Sequence, residues 1–173
     1  CHYDYHPPVR EVSHTFMRVP FKVAGREIAL AIDEEGSSPY VGQMHAYMWV
    51  FDVEDRTNPK PISTFSMEEG DSPYAKMAIN SGERFGAHQF REKMTDTLVY
   101  ATWFAGGLRI VDIADPMLPT EVGSFIPEPS TGRDGVKGHQ SVQSNDVDLD
   151  DRGIIYLLDR FKGLDVIEYT PHA

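Results

Sequence analysis

Two histidines and an aspartate recur at one place in the sequence pattern and could together bind a metal ion. His14, His88 and Asp146 each lie near the start of a run of strand-forming residues. Two imidazoles and one carboxylate suit a divalent transition metal, and His139 could supply a fourth ligand. The alternative is that these side chains only hydrogen-bond neighbouring loops, because none of the four belongs to a His-x-x-x-His or Cys-x-x-Cys spacing that would support a metal site.

A second group of polar and aromatic side chains stands where the next strand-forming runs end. Carboxylates with different partners can have separated pKa values and can then act as acid and base on a substrate. We therefore predict that this group faces a substrate, with Glu34 as a catalytic acid or base. The alternative is an ion-pair network that joins neighbouring sheets. The residues predicted to line the substrate channel are Asp33, Trp103, Asp146, Asp159 and Arg160.

Cys1 is the single cysteine of the chain, so it makes no internal disulfide. At a processed N-terminus its thiolate would be a nucleophile, and its α-amino group, with a pKa of about 8, would be a general base. His14 or His88 could move protons in the same reaction. Self-cleavage before Cys1 would also explain why the chain does not start with Met. The alternatives are a lipidated cysteine, a cloning remnant or an inert residue.

These residues belong to a pattern that the chain repeats three times. The clearest copy has four short apolar runs at residues 87–90, 97–103, 107–113 and 121–125, with turn residues between them. Repeats of about 40–70 residues built from four such strands are typical of β-propeller blades. We therefore predict an all-β chain with a lead-in at 1–8 and three blades. Their approximate bounds are 9–66, 86–126 and 143–171.

Three blades cannot close a propeller, which needs about four to eight. The third copy also lacks a fourth run, because only residues 170–173 follow it. An unpaired sheet edge exposes backbone hydrogen-bonding groups and promotes aggregation. We therefore expect about seven blades in all, completed by a second polypeptide. The favoured partner is the N-terminal half of the same precursor, so that the chain alone is not a stable monomer.

Composition excludes several classes of function. A net charge of −11 argues against binding to nucleic acid or to an anionic membrane surface, because both require a basic patch. The hydrophobic fraction of 40% supports a real core. No apolar run approaches the length of about 18 residues that spans a bilayer, so we expect a soluble protein, cytoplasmic or periplasmic.

The strand pattern resembles that of the LVIVD-repeat proteins, which are bacterial β-propellers. The resemblance is carried by Gly-Leu-Arg-Ile-Val-Asp-Ile at 107–113 with Asp115-Pro116, and by 144–147, 150–156 and 163–169. It covers about residues 9–171 and implies the propeller fold, with little about activity. Members are usually single chains about twice as long, which favours a processed or two-subunit protein. A more distant similarity to selenium-binding and methanethiol-oxidase propellers implies metal-binding channel histidines.

Three hypotheses follow for the function. The first is a processed hydrolase that cleaves a small amide-like or acyl substrate with Cys1 as nucleophile. The second is an oxidoreductase that binds a divalent transition metal through the channel histidines. The third is a non-catalytic scaffold that presents its long loops to a partner.

Overall fold

The computed structural model describes residues 12–36, 42, 45–133, 136–137 and 141–171. The prediction of an all-β chain is confirmed, since 48% of the chain is strand and 7% is helix. Sheet 1 contains β1 (Val12–Val23), β2 (Arg26–Glu34), β3 (Met48–Asp52) and β4 (Lys60–Phe65). Sheet 2 contains β5 (Gln89–Phe90), β6 (Leu98–Thr102), β7 (Leu108–Asp112) and β8 (Thr120–Phe125). Sheet 3 contains β11 (Ser144–Leu149), β12 (Ile154–Asp159) and β13 (Gly163–Glu168).

Each sheet is an antiparallel meander in which every strand pairs with its neighbour along the chain. The turns between the third and fourth strands of sheets 1 and 2 are closed by aspartate side chains. Asp55 accepts a hydrogen bond from the amide of Thr57 at 2.9 Å, and Asp115 accepts one from the amide of Met117 at 3.0 Å. Such local bonds fix a tight turn and bring the next strand back alongside.

The segments between the sheets contain short elements of their own. A 3-10 turn (Glu69–Asp71) and helix α1 (Ala75–Ser81) join sheets 1 and 2. The helix ends at Gly82, whose φ of 76° is left-handed and suits glycine. A two-residue hairpin of β9 (Gly132–Arg133) and β10 (Val136–Lys137) lies between sheets 2 and 3.

The three sheets stack face to face, and sheets 1 and 2 pack through the same two faces as sheets 2 and 3. One face of sheet 1 carries Ile28, Leu30 and Ile32. It forms a hydrophobic core with the face of sheet 2 that carries Val99 and Ala101. The opposite face of sheet 2 forms a second core with sheet 3, made by Leu108, Ile110, Val147, Ile155 and Leu157. One kind of sheet-to-sheet interface is therefore used twice.

The first strands of the sheets converge. Strand β5 contacts β1 and β2 on one side and β11 on the other. In each sheet, the start of the first strand lies beside the end of the second strand. Side chains from neighbouring sheets therefore meet at these strand ends.

The two outer faces of the stack are apolar but differ in exposure. On sheet 1, Phe16 is exposed, whereas Ala29 and Phe51 are buried, and the three line a cleft of about 750 Å³. On sheet 3, Leu164 and Val166 are 58% and 59% exposed. Among the described residues, no helix is long and apolar enough to cross a membrane.

Candidate functional site

Three ligand-type side chains converge at the junction of sheets 1 and 2. His14 comes from β1, Glu34 ends β2, and His88 stands just before β5. One potential ligand atom from each lies within 4.8 Å of the other two, and they form the one such group among the described residues. His88 Nε2 is 3.7 Å from Glu34 Oε1, and His14 Nε2 is 3.8 Å from Glu34 Oε2.

A β-bulge turns His14 towards this junction. In the pairing of β1 with β2, Ser13 is opposite Asp33 and Thr15 is opposite Ile32, so His14 is the extra residue of the bulge. Bulges often redirect a side chain at a functional site. His88 holds the matching place in sheet 2, where its amide donates to the carbonyl of Thr102 at 3.0 Å.

The hydrogen bonds of His88 fix its tautomer. Its Nδ1 lies 2.6 Å from the carbonyl oxygen of Asn145, which can only accept, so Nδ1 carries the proton. In the neutral ring the lone pair is then on Nε2, the atom that faces Glu34.

A longer chain of bonds fixes His14 in the same way. The Gln89 amide group donates from Nε2 to Glu92 at 3.2 Å, which leaves its Oε1 to accept the hydroxyl proton of Thr15 at 2.6 Å. With that proton used, Thr15 Oγ1 accepts from His14 Nδ1 at 2.8 Å. In the neutral ring, the Nε2 of His14 therefore also presents a lone pair towards Glu34. Such outer partners are typical of metal-binding histidines.

Glu34 is held and ionised by positive neighbours. Arg84 Nη1 donates to Glu34 Oε1 at 2.5 Å. Burial by itself raises the pKa of the Glu34 carboxyl. The hydrogen bond from Arg84 and the charges of Arg84, His88 and His14 lower it, and the net result is a pKa below the ordinary value. The carboxylate is therefore charged at neutral pH.

The pKa of His88 is lowered, chiefly because burial penalises the charged ring. The Asn145 carbonyl and Glu34 act to raise it, whereas His14 and Arg160 act to lower it further. At neutral pH the His88 imidazole is thus uncharged and its Nε2 lone pair is free to bind a metal.

Phe104 borders the cluster on the side of sheet 3. Its ring centroid is 4.7 Å from that of His88, and the guanidinium carbons of Arg84 and Arg160 lie 5.1 and 5.2 Å from it. The backbone of Phe104 is in the left-handed region, with a φ of 29°. Strained backbone of this kind often collects at functional sites.

Three residues predicted to line the channel are buried and make structural contacts. Asp33 Oδ2 accepts from Trp49 Nε1 at 2.9 Å, and burial raises the pKa of Asp33. Trp103 lies in the core with its ring edge-on to Phe65 at 5.5 Å. Asp159 accepts the amide of Gln143 at 2.6 Å. In contrast, Arg160 is exposed at the edge of the site.

The register corrects one expected equivalence. Thr15 pairs with Ile32, Gln89 with Thr102 and Asp146 with Leu158, so Asp146 corresponds to Thr15 and Gln89. Because β11 has a bulge between Ser144 and Asp146, Asn145 is the counterpart of His14 and His88. Asp146 is exposed and outside the three-residue group. Cys1 and His139 lie outside the described residues, and their roles stay predictions.

Two residues of the site could not be found from the repeat. Arg84 belongs to the segment between sheets and has no counterpart in the other copies. Gln143 positions it, accepting from its amide at 3.2 Å and donating to its carbonyl at 2.8 Å. Asn145 holds His88 through its backbone carbonyl, which any residue would supply, and its side-chain oxygen accepts from Arg160. The order Ser144-Asn145-Asp146 beside Ala87-His88-Gln89 was the only sequence signal for it.

The chain matches no model of a known protein family and no curated protein. The resemblance to LVIVD-repeat proteins therefore stays a prediction.

The cluster has the dimensions that a metal ion needs. Zn–N bonds of about 2.1 Å place tetrahedral ligand atoms about 3.4 Å apart. The two imidazole Nε2 atoms lie 3.7 and 3.8 Å from the two different oxygens of Glu34, and one ligand atom of each residue lies within 4.8 Å of the others. A metal bound through Oε2 would leave Arg84 on Oε1, and His88 Nε2 would turn from Oε1 towards the ion.

Proposed function

We propose that this chain carries a divalent transition-metal centre at His14, Glu34 and His88 and serves as an oxidoreductase on a small molecule. Two histidines and one carboxylate with open positions are the ligand set of non-haem Fe(II) oxygenases. Copper also binds imidazole well. The bound metal would supply the redox chemistry, with substrate access through its open positions.

The observation that carries this proposal is the orientation of the two imidazoles. Each has a proton on Nδ1, held by Asn145 or Thr15, so that in the neutral ring each presents its Nε2 lone pair towards one oxygen of Glu34. A structural ion-pair network requires no such arrangement, because protonated histidines would serve Glu34 better. Arg84 orients Glu34 and keeps it charged.

We also propose that the three sheets belong to a β-propeller completed by sheets of a second polypeptide. The interface between sheets 1 and 2 recurs between sheets 2 and 3. The outer face of sheet 3, where Leu164 and Val166 are exposed, is the half of that interface that no described sheet covers. A sheet of the same repeat would cover it. Light scattering tests this: Val166→Lys should weaken the complex, and a folded, monodisperse 19.5 kDa species would contradict it.

Metal analysis tests the proposed centre. Purified protein is dialysed against Fe(II), Cu(II) or Zn(II) in separate samples, and bound metal is measured by elemental analysis. We expect one ion per chain. His14→Ala and His88→Ala should each lower metal affinity by more than the about 10–100-fold that loss of an outer partner costs. Asp146→Asn is the matched control and should bind as the native chain does. Equal binding by all variants would refute the centre.

The hydrolase hypothesis makes a different prediction. If Cys1 is the nucleophile, Cys1→Ala abolishes activity while metal binding is unchanged. If the metal centre is the active site, Cys1→Ala retains activity and His88→Ala loses it. A scaffold would show neither dependence.

A further inference from the structure

We propose that Arg160 binds an anionic group of the substrate, a carboxylate or a phosphate, beside the metal centre. Its role as a substrate contact rests on the proposed function. The anion site itself depends only on the residues around Phe104.

Arg160 differs from the other arginines whose side chains are described. Seven of them pair with a carboxylate within 4.0 Å: Arg18, Arg26, Arg56, Arg84, Arg91, Arg109 and Arg152. Among the described residues, Arg160 has no such partner, although the chain has 27 acidic residues against 16 basic ones. Its Nε donates instead to the neutral amide oxygen of Asn145 at 2.7 Å.

That bond leaves the two Nη groups of Arg160 on an exposed surface. A guanidinium has five N–H donors in a planar fork that matches carboxylate or phosphate oxygens in pairs. Asn145 takes Nε and Phe104 supports the guanidinium carbon at 5.2 Å. The side chain is therefore oriented before any ligand arrives, which reduces the entropy lost on binding.

The surroundings favour an anion. Arg84 lies 5.1 Å from the centroid of the same Phe104 ring, and its charge is balanced by Glu34. His88 contacts that ring as well. A metal ion on His88 would add positive charge, so an anion near Arg160 would be attracted by both.

The register sets Arg160 close to the metal ligands. Glu34, Phe104 and Arg160 hold equivalent positions in sheets 1, 2 and 3. Each lies at or just after the end of the second strand of its sheet. They lie in a row along one edge of the stack, with His88 against Phe104. A small substrate anchored at Arg160 would extend across Phe104 towards the metal.

Calorimetric titration with acetate, inorganic phosphate and neutral acetamide tests the proposal, on metal-free and metal-loaded protein. We expect acetate or phosphate to bind and acetamide not to. Loss of charge-assisted hydrogen bonds should weaken anion binding about tenfold or more in Arg160→Gln, with partial retention in Arg160→Lys. The exposed Arg152 supplies the matched control, Arg152→Gln, which should bind as the native chain does.

The outcomes separate this inference from the metal proposal. Anion binding that depends on Arg160 in a protein that takes up no metal would support the anion site and refute the centre. Metal uptake with anion binding unaffected by Arg160→Gln would refute the anion site alone. Equal binding of acetamide would also overturn it. Preference for acetate over phosphate, or the reverse, identifies the substrate group.

Discussion

The junction between sheets 1 and 2 and the junction between sheets 2 and 3 share a backbone framework but differ in chemistry. At the first, Glu34 stands between His14 and His88. At the second, the matching places hold Phe104, His88 and Asn145. Phe104 contacts the ring of His88, and His88 donates to the carbonyl of Asn145. The same register thus presents a carboxylate between imidazoles at one junction and a phenyl ring under a guanidinium at the other.

This difference teaches how a repeated sheet can build a site that is not repeated. The bulge and the strand ends fix where side chains meet, and single residues decide what they do there. We propose that the first junction binds a cation and the second an anion, with His88 shared by both.

The largest expected effect concerns the second junction. Phe104 is fully buried, so Phe104→Ala should lower the free energy of unfolding by about 3–5 kcal/mol through lost packing and a cavity. Metal affinity should change little, because Phe104 offers no ligand atom. Urea unfolding measures the stability, with the exposed Leu118→Ala as a control that should change it little. A small loss in Phe104→Ala would show that the ring is not a packing element.

The corresponding substitution at the first junction, Glu34→Gln, should weaken metal binding. Glu34→Gln keeps the shape of the side chain but removes the charge that a metal and Arg84 share, so metal affinity should fall at least about 10–100-fold. Competition with a chelator measures the affinity. Glu121→Gln is the control, because Glu121 pairs with Arg109 elsewhere. A similar fall in both variants would point to a general effect of charge.

Acid should release the metal. The pKa of His88 lies below its ordinary 6.5, so the ring stays neutral and able to bind until the pH falls below that value. Glu34, with a pKa lowered from 4.5, stays charged further into acid. Metal affinity should therefore hold at pH 6.5 and fall only at lower pH, where His88 is protonated, as measured by titration at fixed metal concentration. Affinity that holds until Glu34 protonates would exclude His88 as a ligand.

The lowered pKa of His88 also makes the stability of the fold depend on pH. Because the unfolded chain protonates His88 more readily than the folded chain, stability without metal should decline as the pH falls below 6.5 and level off below the folded pKa. The His88→Gln variant should lack this part of the decline in urea unfolding.

The smallest expected effect concerns the support of His14. Thr15→Val keeps the side-chain shape but removes the hydroxyl that holds Nδ1, so metal affinity should fall about tenfold. Thr120→Val, which alters an exposed hydroxyl bonded to Leu118, is the control. No change in Thr15→Val would mean that the hydroxyl does not orient His14.

Much of the fold follows from the sequence, because alternating apolar residues and Asp-rich turns specify meandering strands locally. The pairing of His14 with His88 followed from the repeat. The alignment of Asp146 with them was wrong by one residue. Asn145 is the extra residue of the β11 bulge, as His14 is of the β1 bulge, and the apolar pattern does not mark which residue is the extra one.

Other features depend on contacts that no local pattern encodes. Helix α1 is too short, at seven residues, for a helical period to stand out. Arg84 reaches Glu34 from a connecting segment, which becomes apparent only once sheets 1 and 2 have packed. Trp103 looked like a channel residue because it follows a strand, yet it points into the core.

The central claim is most directly tested by X-ray absorption spectroscopy of the metal-loaded protein. Our account predicts two imidazole nitrogens and a carboxylate oxygen at about 2.0–2.2 Å from the metal, and one imidazole fewer in His14→Ala. A shell of oxygen atoms alone, or a spectrum unchanged by His14→Ala, would contradict it.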